Sequence, residues 1–211
     1  MPVIVIDPNN PDPQALLEAA DIIMQGGIAI YPTETVYGIG VRYDDEQALA
    51  RLFDLKGRAS HKPVLLLLPR SEDLQRISSR VPPEARLLAE RFWPGPLTLV
   101  VPARPDLPAL VTGGGNSIGC RVSSSAAASA LVRACGRPIT STSANLSGGP
   151  NPSSVADITP DVIARADIVL DAGPTPGTLP STVYDVSQHP FRLVRAGVIA
   201  EADINRALKK T

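Results

Sequence analysis

Four polar segments have the residue types and spacing of a site for anionic substrates. The segment that begins at Lys56 places Arg58 and Lys62 within seven residues of chain, just before an apolar run. Arginine offers a planar fork to phosphate and lysine a mobile point charge, so the cluster suits a triphosphate. The other segments, rich in hydroxyl, amide and glycine groups, are 31–38, 141–149 and 180–183. Together they predict a site for phosphate and an amino acid.

Two of these segments also have an ordinary structural interpretation. Cations at the end of a helix gain about 0.3–1 kcal/mol from the helix dipole, which would explain Lys56 and Arg58 without a ligand. Pro63 disfavours helix at Lys62, however, and therefore places that lysine in an extended entry to the next strand. The 141–149 segment could be a simple turn. Because neither a GxxxxGK[ST] nor a GxGxxG pattern occurs, any nucleotide site here differs from the standard phosphate loops.

Several other catalytic chemistries are disfavoured by the sequence. The two histidines, His61 and His189, lie far apart, with neither HExxH spacing nor a GxSxG motif. The two cysteines, Cys120 and Cys135, lack CxxC spacing and cannot form a four-thiolate metal site. A protease, an esterase and a zinc enzyme are therefore not expected.

Composition predicts one globular domain over residues 1–211. The 44% hydrophobic content is enough for a full core, and the formal net charge of -1 gives no overall attraction to a nucleic acid. The N-terminus has no export signal, and no apolar run reaches the roughly 18 residues of a membrane span. We therefore expect a cytoplasmic protein that does not enter a membrane.

Helical and strand patterns alternate along the chain. Helices are predicted at 12–24, 45–55, 71–77, 83–92, 125–135, 160–165 and 201–209. Strands are predicted at 28–31, 64–68, 97–101, 118–122, 139–140, 167–171, 181–186 and 191–195. This alternation, interrupted by 22 prolines, indicates an α/β fold with a twisted, mixed, open sheet and helical cover.

Seven motifs follow one another along nearly the whole chain. They are YPTETVYGIG at 31–40, Lys56-x-Arg58 with Lys62-Pro63, PGPLT at 94–98, Arg121-Val122, STSANLSG at 141–148, STV at 181–183 and Arg195-x-Gly197. This ordered set closely resembles the YrdC-like family of threonylcarbamoyl-AMP synthases, in its short single-domain form. The resemblance implies a YrdC-like fold, related to the DHBP synthase-like fold, with a concave basic cavity.

The resemblance also implies a reaction and a set of site residues. The enzyme would be a nucleotidyltransferase that joins L-threonine, bicarbonate and ATP, with Mg²⁺ held mainly by the ATP phosphates and not by protein side chains. Catalytic roles fall to Lys56, Arg58, Ser143 and Asn145. The residues around ATP would be Lys56, Arg58, Lys62, Ser117, Ser143, Asn145, Asn151 and Arg195. The residues that hold threonine would be Thr35, Leu67, Arg121, Ser141 and Ser181.

The product would be used by downstream proteins that transfer threonylcarbamoyl to adenosine 37 of tRNA, and contact of this chain with tRNA is expected to be weak. An alternative is a paralogue that binds structured RNA through the cavity without making the adenylate. One loop departs from the family pattern. Where the family usually has proline after Val122, with a histidine a few residues on, this chain has Ser123-Ser124-Ser125.

Overall fold

The computed structural model describes residues 2–177 and 179–209. Within them, ten strands form one sheet in the order β1-β8-β2-β3-β7-β4-β6-β5-β9-β10. The strands are β1 (Val3–Val5), β2 (Ala29–Pro32), β3 (Tyr37–Gly40), β4 (Leu65–Leu67), β5 (Leu97–Pro102), β6 (Ser117–Arg121), β7 (Ile139–Ser143), β8 (Ile168–Asp171), β9 (Thr182–Asp185) and β10 (Arg192–Arg195). The sheet contains both parallel pairs, such as β4 with β6, and antiparallel pairs, such as β3 with β7. The predicted mixed open sheet is confirmed.

Eight α-helices accompany the sheet in the described residues. They are α1 (Pro13–Met24), α2 (Glu46–Lys56), α3 (Leu74–Ile77), α4 (Pro83–Phe92), α5 (Ala109–Thr112), α6 (Ala126–Cys135), α7 (Pro160–Arg165) and α8 (Glu201–Leu208). Aspartates cap the first two helices: Asp12 accepts a hydrogen bond from the Gln14 amide, and Asp45 accepts from Gln47 and Ala48. The helix predicted at 71–77 is instead a 3-10 turn, Ser71–Asp73, followed by α3.

Two apolar clusters lie on opposite faces of the sheet. One contains residues of α1 and α6, and the other contains residues of α2, α4, α7 and α8. In β2, Ile30 belongs to one cluster and its neighbours Ala29 and Tyr31 to the other. Because successive side chains of a strand point to opposite faces, a strand covered on both sides is apolar throughout. Helical cover on both faces is therefore confirmed. No helix among the described residues has the length and apolarity needed to cross a membrane.

Two of the polar site segments, 31–38 and 141–149, lie partly within strands. Tyr31 and Tyr37 are fully buried and belong to β2 and β3, which pair antiparallel, so only residues 33–36 connect the strands. Likewise Ser141 and Ser143 lie within β7, which extends beyond the predicted 139–140. Tyr31 was predicted in a strand, which is confirmed, but Tyr37–Gly40, Ser141 and Ser143 were not. At these positions pairing in the centre of the sheet outweighs the low strand propensity of glycine and serine. Strand β1 and helix α5 were not predicted.

Gly40 permits the close approach of β3 and β7. A Cβ atom added at Gly40 would lie 1.9 Å from the Thr140 carbonyl oxygen, which belongs to backbone and cannot rotate away. The close pairing of β3 with β7 holds the strand that carries Ser141 and Ser143 beside the 33–36 connection. The glycine therefore has a direct part in bringing two site segments together.

We expect Gly40→Ala to lower the free energy of unfolding by about 1–3 kcal/mol, the usual cost of overpacking a core. Urea denaturation followed by circular dichroism measures it. Gly119→Ala is the matched control, because a Cβ atom there would lie 3.5 Å from its nearest neighbours, an ordinary contact. Equal stability of Gly40→Ala and wild type would contradict the close approach of β3 and β7.

Candidate functional site

A cavity of about 370 Å³ lies over the centre of the sheet, lined by residues of β3–β7, β9, β10 and the adjoining loops. Its charged lining residues are Arg58, Arg121 and Arg195; no acidic side chain lines it among the described residues. Hydroxyl groups make up much of the remaining polar lining. Positive charge beside hydroxyl donors is the chemistry expected of a site that binds anions with polar groups attached.

Most of the residues predicted for the site lie on the wall of this one cavity. Those that line it are Thr35, Arg58, Ser117, Arg121, Ser141, Ser143, Asn151, Ser181 and Arg195. Four others do not line it: Lys56, Lys62, Leu67 and Asn145. The individual binding and catalytic roles given to these thirteen residues stay predictions.

Lys56 lies behind the wall that Ser143 forms. Its side chain is only 2% exposed, and its Nζ donates hydrogen bonds to the Ser143 carbonyl, the Asn145 carbonyl at 2.7 Å and Asn145 Oδ1 at 3.3 Å. The Lys56 carbonyl in turn accepts from the Ser147 amide at 2.9 Å. The lysine therefore joins the end of α2 to the loop that follows β7.

Asn145 fixes the same loop from within. Its Oδ1 accepts from Ser143 Oγ at 2.6 Å, and its Nδ2 donates to the carbonyls of Gly149 and Pro150 at 2.6 and 3.0 Å. Both ends of the amide are thus used inside the protein. The hydrogen bonds of Lys56 and Asn145 therefore hold Ser143 in place on the cavity wall.

Arg58 is held at the cavity by backbone oxygens. Helix α2 ends at Gly57 in the left-handed conformation (φ 56°), which turns the chain towards Arg58. The guanidinium donates to the carbonyls of Lys62 at 3.3 Å and Pro63 at 2.5 Å, and lies 5.8 Å from the centre of the Phe53 ring. These carbonyl and ring contacts orient Arg58 but leave its charge unneutralised.

The Ser181 end of the cavity carries linked hydroxyl groups. Ser181 Oγ lies 2.9 Å from Thr98 Oγ1 and 3.1 Å from Arg195 Nη2, which also donates to the Ser181 carbonyl at 2.8 Å. Elsewhere, Thr35 Oγ1 lies 3.0 Å from Thr33 Oγ1. Thr33 and Thr98 line the cavity but were not singled out from the sequence, although each stands inside a quoted motif.

Arg121 has the one carboxylate partner among the three arginines in the described structure. Its Nη1 donates to Glu34 Oε1 at 3.0 Å, and the other oxygen of Glu34 accepts from the Ser123 hydroxyl. The pair is almost enclosed, with side-chain exposures of 4% for Arg121 and 12% for Glu34. Sequence reasoning missed Glu34 and Ser123 as site residues, because nothing in the spacing shows that positions 34 and 123 meet.

A family model described as Sua5_yciO_yrdC, telomere recombination, matches residues 21–197. Among curated relatives, a threonylcarbamoyl-AMP synthase of Pyrococcus abyssi is 37% identical over 190 residues, which cover 90% of this chain and 56% of that protein. A threonylcarbamoyl-AMP synthase of Thiobacillus denitrificans is 38% identical over 165 residues, covering 78% of this chain and 87% of the relative.

The fold is also similar to that of solved proteins. The crystal structure of P. abyssi Sua5 complexed with L-threonine superposes with a TM-score of 0.94 at 34% identity, over 99% of this chain and 61% of that one. The chain therefore spans somewhat more than half the length of the archaeal relatives to which it is similar.

We expect Lys56 to lose its proton near neutral pH. Burial, and then repulsion by Arg58, lowers the pKa of Lys56 to about 7 from its ordinary value of 10.5. The sequence has only four lysines, so NMR of their Cε signals during a pH titration resolves each one. One signal should titrate near pH 7 and disappear in Lys56→Arg.

The same pKa shift has a defined effect on stability. Between about pH 7 and 10.5 the unfolded chain keeps the lysine proton that the folded protein has lost, so the free energy of unfolding rises with pH in this window. Lys56→Met, which cannot titrate, should lack that contribution. Titration of all four lysines together near pH 10.5 would contradict the burial of Lys56.

Proposed function

Because the chain belongs to the Sua5/YciO/YrdC family, we propose that it is a nucleotidyltransferase that makes threonylcarbamoyl-AMP from L-threonine, bicarbonate and ATP, releasing pyrophosphate. One observation carries the proposal: three arginines and a set of hydroxyl groups from distant parts of the chain line a single cavity. Arginines suit the phosphates, and hydroxyl groups suit a substrate that itself carries a hydroxyl. The complex of the P. abyssi protein with L-threonine supports the amino-acid assignment.

The proposed reaction does not need a side-chain base to activate the nucleophile. The amine of threonine and bicarbonate condense, with loss of water, to an N-carboxylate. An oxygen of that carboxylate attacks the α-phosphorus of ATP, and the bond from this phosphorus to the β-phosphate oxygen breaks. A carboxylate is already an anionic nucleophile, so neither His61 nor His189, both exposed, is needed to activate it. What the reaction needs is two anions held close together and neutralisation of their charge.

The proposal assigns different residues to the two substrates. Arg58 and Arg195, which have only uncharged oxygen partners among the described residues, keep their full charge for the phosphates of ATP. Ser117, Ser143 and Asn151, which line the cavity, complete the set of residues for the nucleotide, and the proposal adds the exposed Lys62. In this proposal Thr35, Arg121, Ser141 and Ser181 hold threonine, with Leu67 in strand β4.

Magnesium fits this site as a companion of ATP. Among the described residues, no group of three His, Cys, Asp or Glu side chains could hold a metal ion, and the carboxylate of Glu34 is engaged by Arg121 and Ser123. The residues present therefore suit a Mg²⁺ carried by phosphate oxygens. When bound there, Mg²⁺ neutralises phosphate charge.

The product is a mixed anhydride, which the proposal assigns to downstream proteins that transfer threonylcarbamoyl to tRNA. The proposal locates the protein in the cytoplasm, where both ATP and tRNA occur. The net charge of -1 limits the number of tRNA phosphates that this chain can neutralise at once, so direct contact with tRNA is weak in this proposal.

Release of pyrophosphate, measured with ATP, Mg²⁺, bicarbonate and each standard amino acid in turn, tests the proposal. Release should depend on threonine and on bicarbonate. The affinity for tRNA, measured at increasing salt concentrations, tests the RNA-binding alternative. Tight tRNA binding that survives high salt, without pyrophosphate release for any amino acid, would favour an RNA-binding paralogue instead.

We expect Arg58→Ala to slow pyrophosphate release by about ten- to a hundredfold, because one charge-assisted phosphate contact is lost. The fold should persist, since Arg58 is only half-buried. Arg80→Ala, an exposed arginine that does not line the cavity, is the matched control and should behave as wild type. Wild-type turnover in a folded Arg58→Ala protein would remove this arginine from the mechanism.

We expect strong preference for threonine over valine. Thr35, Ser141 and Ser181 are buried hydroxyl residues, and a pocket built for a substrate hydroxyl leaves its own polar groups unpaired when that hydroxyl is missing. The ratio of kcat/KM values could reach about 10⁴ in favour of threonine over valine. Serine, which lacks only the methyl group, should be rejected far less. Equal kcat/KM values for valine and threonine would show that these hydroxyl groups do not recognise the substrate hydroxyl.

A further inference from the structure

Arg121 has one partnered edge and one free edge. Its Nη1 is held by Glu34, whereas its Nε is fully buried and has no hydrogen-bond partner among the described residues. The residue as a whole is 3% exposed and lines the cavity. A buried N–H group without a partner is costly, so the free edge is prepared for an acceptor that comes with a ligand.

We propose that Ser123 is a positioning residue for the amino-acid substrate, acting through Glu34 on Arg121. The Ser123 hydroxyl donates to one oxygen of the Glu34 carboxylate, and this orients the other oxygen towards Arg121 Nη1. With that end fixed, the guanidinium keeps one orientation at the cavity wall, and there it can bind the carboxylate of the incoming amino acid. This inference rests on the proposed function and adds to it a residue outside the family motifs.

The position of Ser123 suits this role. It is 3% exposed and lies two residues before Ser125, whose hydroxyl caps α6. Ser123 Oγ also accepts from the Ser125 amide at 3.2 Å, and Ser125 Oγ donates to the Pro32 carbonyl at 3.1 Å. The start of α6 is thereby fixed against the 33–36 connection. A proline, expected here from the family resemblance, has no hydroxyl to give to Glu34, so this arrangement belongs to this chain.

Glu34 also affects which of the two anionic substrates binds at Arg121. It partly neutralises Arg121, which is therefore a weaker attractant for a triphosphate than Arg58 or Arg195, neither of which has a carboxylate partner in the described part of the chain. A singly charged carboxylate still gains a planar, two-point contact on the free edge of Arg121. Threonine is thus directed to Arg121 and phosphate to the other two arginines.

Ser123→Ala tests the role directly. Replacing Glu34 would leave a buried arginine without its counter-charge and endanger folding, whereas loss of one hydroxyl leaves the ion pair in place. We expect the Kd for L-threonine, measured by calorimetry, and the KM for threonine to rise about tenfold, as for a lost hydrogen bond to a charged group. The KM for ATP and the kcat at saturating threonine should stay within about twofold.

Two further variants make the test specific. Ser123→Thr keeps the hydroxyl and should restore threonine binding, and Ser124→Ala removes the neighbouring, exposed hydroxyl and should leave it unchanged. Unchanged threonine affinity in a folded Ser123→Ala protein overturns the role of Ser123, as does an equal rise in the KM values for threonine and ATP. Failure of the wild-type protein to bind threonine or release pyrophosphate contradicts the proposed function itself and is therefore a distinguishable result.

Discussion

Positive charge is concentrated around one partly buried cavity and must be stabilised there by oxygens from several segments. Lys56 and three arginines repel one another and lose water there, and each is stabilised by a different arrangement of oxygens. Backbone and amide oxygens surround Lys56, carbonyls hold Arg58, the carbonyl and hydroxyl of Ser181 hold Arg195, and the carboxylate of Glu34 holds Arg121. The sheet is what brings these oxygens, from distant parts of the chain, to the same place.

The fold was predictable wherever local pattern and tertiary environment agree. Asp12 and Asp45 mark helix starts that the structure confirms, and the apolar run before Pro69 is a strand buried on both faces. Prediction failed where long-range pairing decides the conformation. Tyr37–Gly40 contains two glycines and looks like a loop, yet it is a central strand because β2 and β7 pair with it on either side.

The candidate site was predictable as a set of segments but not as an arrangement. Residue types identify Lys56, Arg58 and Asn145 as polar site residues. Only the folded structure shows that Arg58 lines the cavity while the other two support its wall. The contact between Ser123 and Glu34 joins residues 89 positions apart. The local sequence cannot reveal such a pair, because a serine in an exposed turn and a serine in a buried hydrogen bond look the same in the sequence.

In the reaction that we propose, this cavity joins a bicarbonate-derived carboxylate of threonine to the α-phosphate of ATP. Incubation with carbon-13 bicarbonate, L-threonine, ATP and Mg²⁺, followed by rapid mass spectrometry, tests it most directly. We expect an adenylate that contains both threonine and the labelled carbon, and that is absent when threonine or bicarbonate is omitted. An unlabelled threonyl adenylate, or no adenylate under any of these conditions, would contradict it.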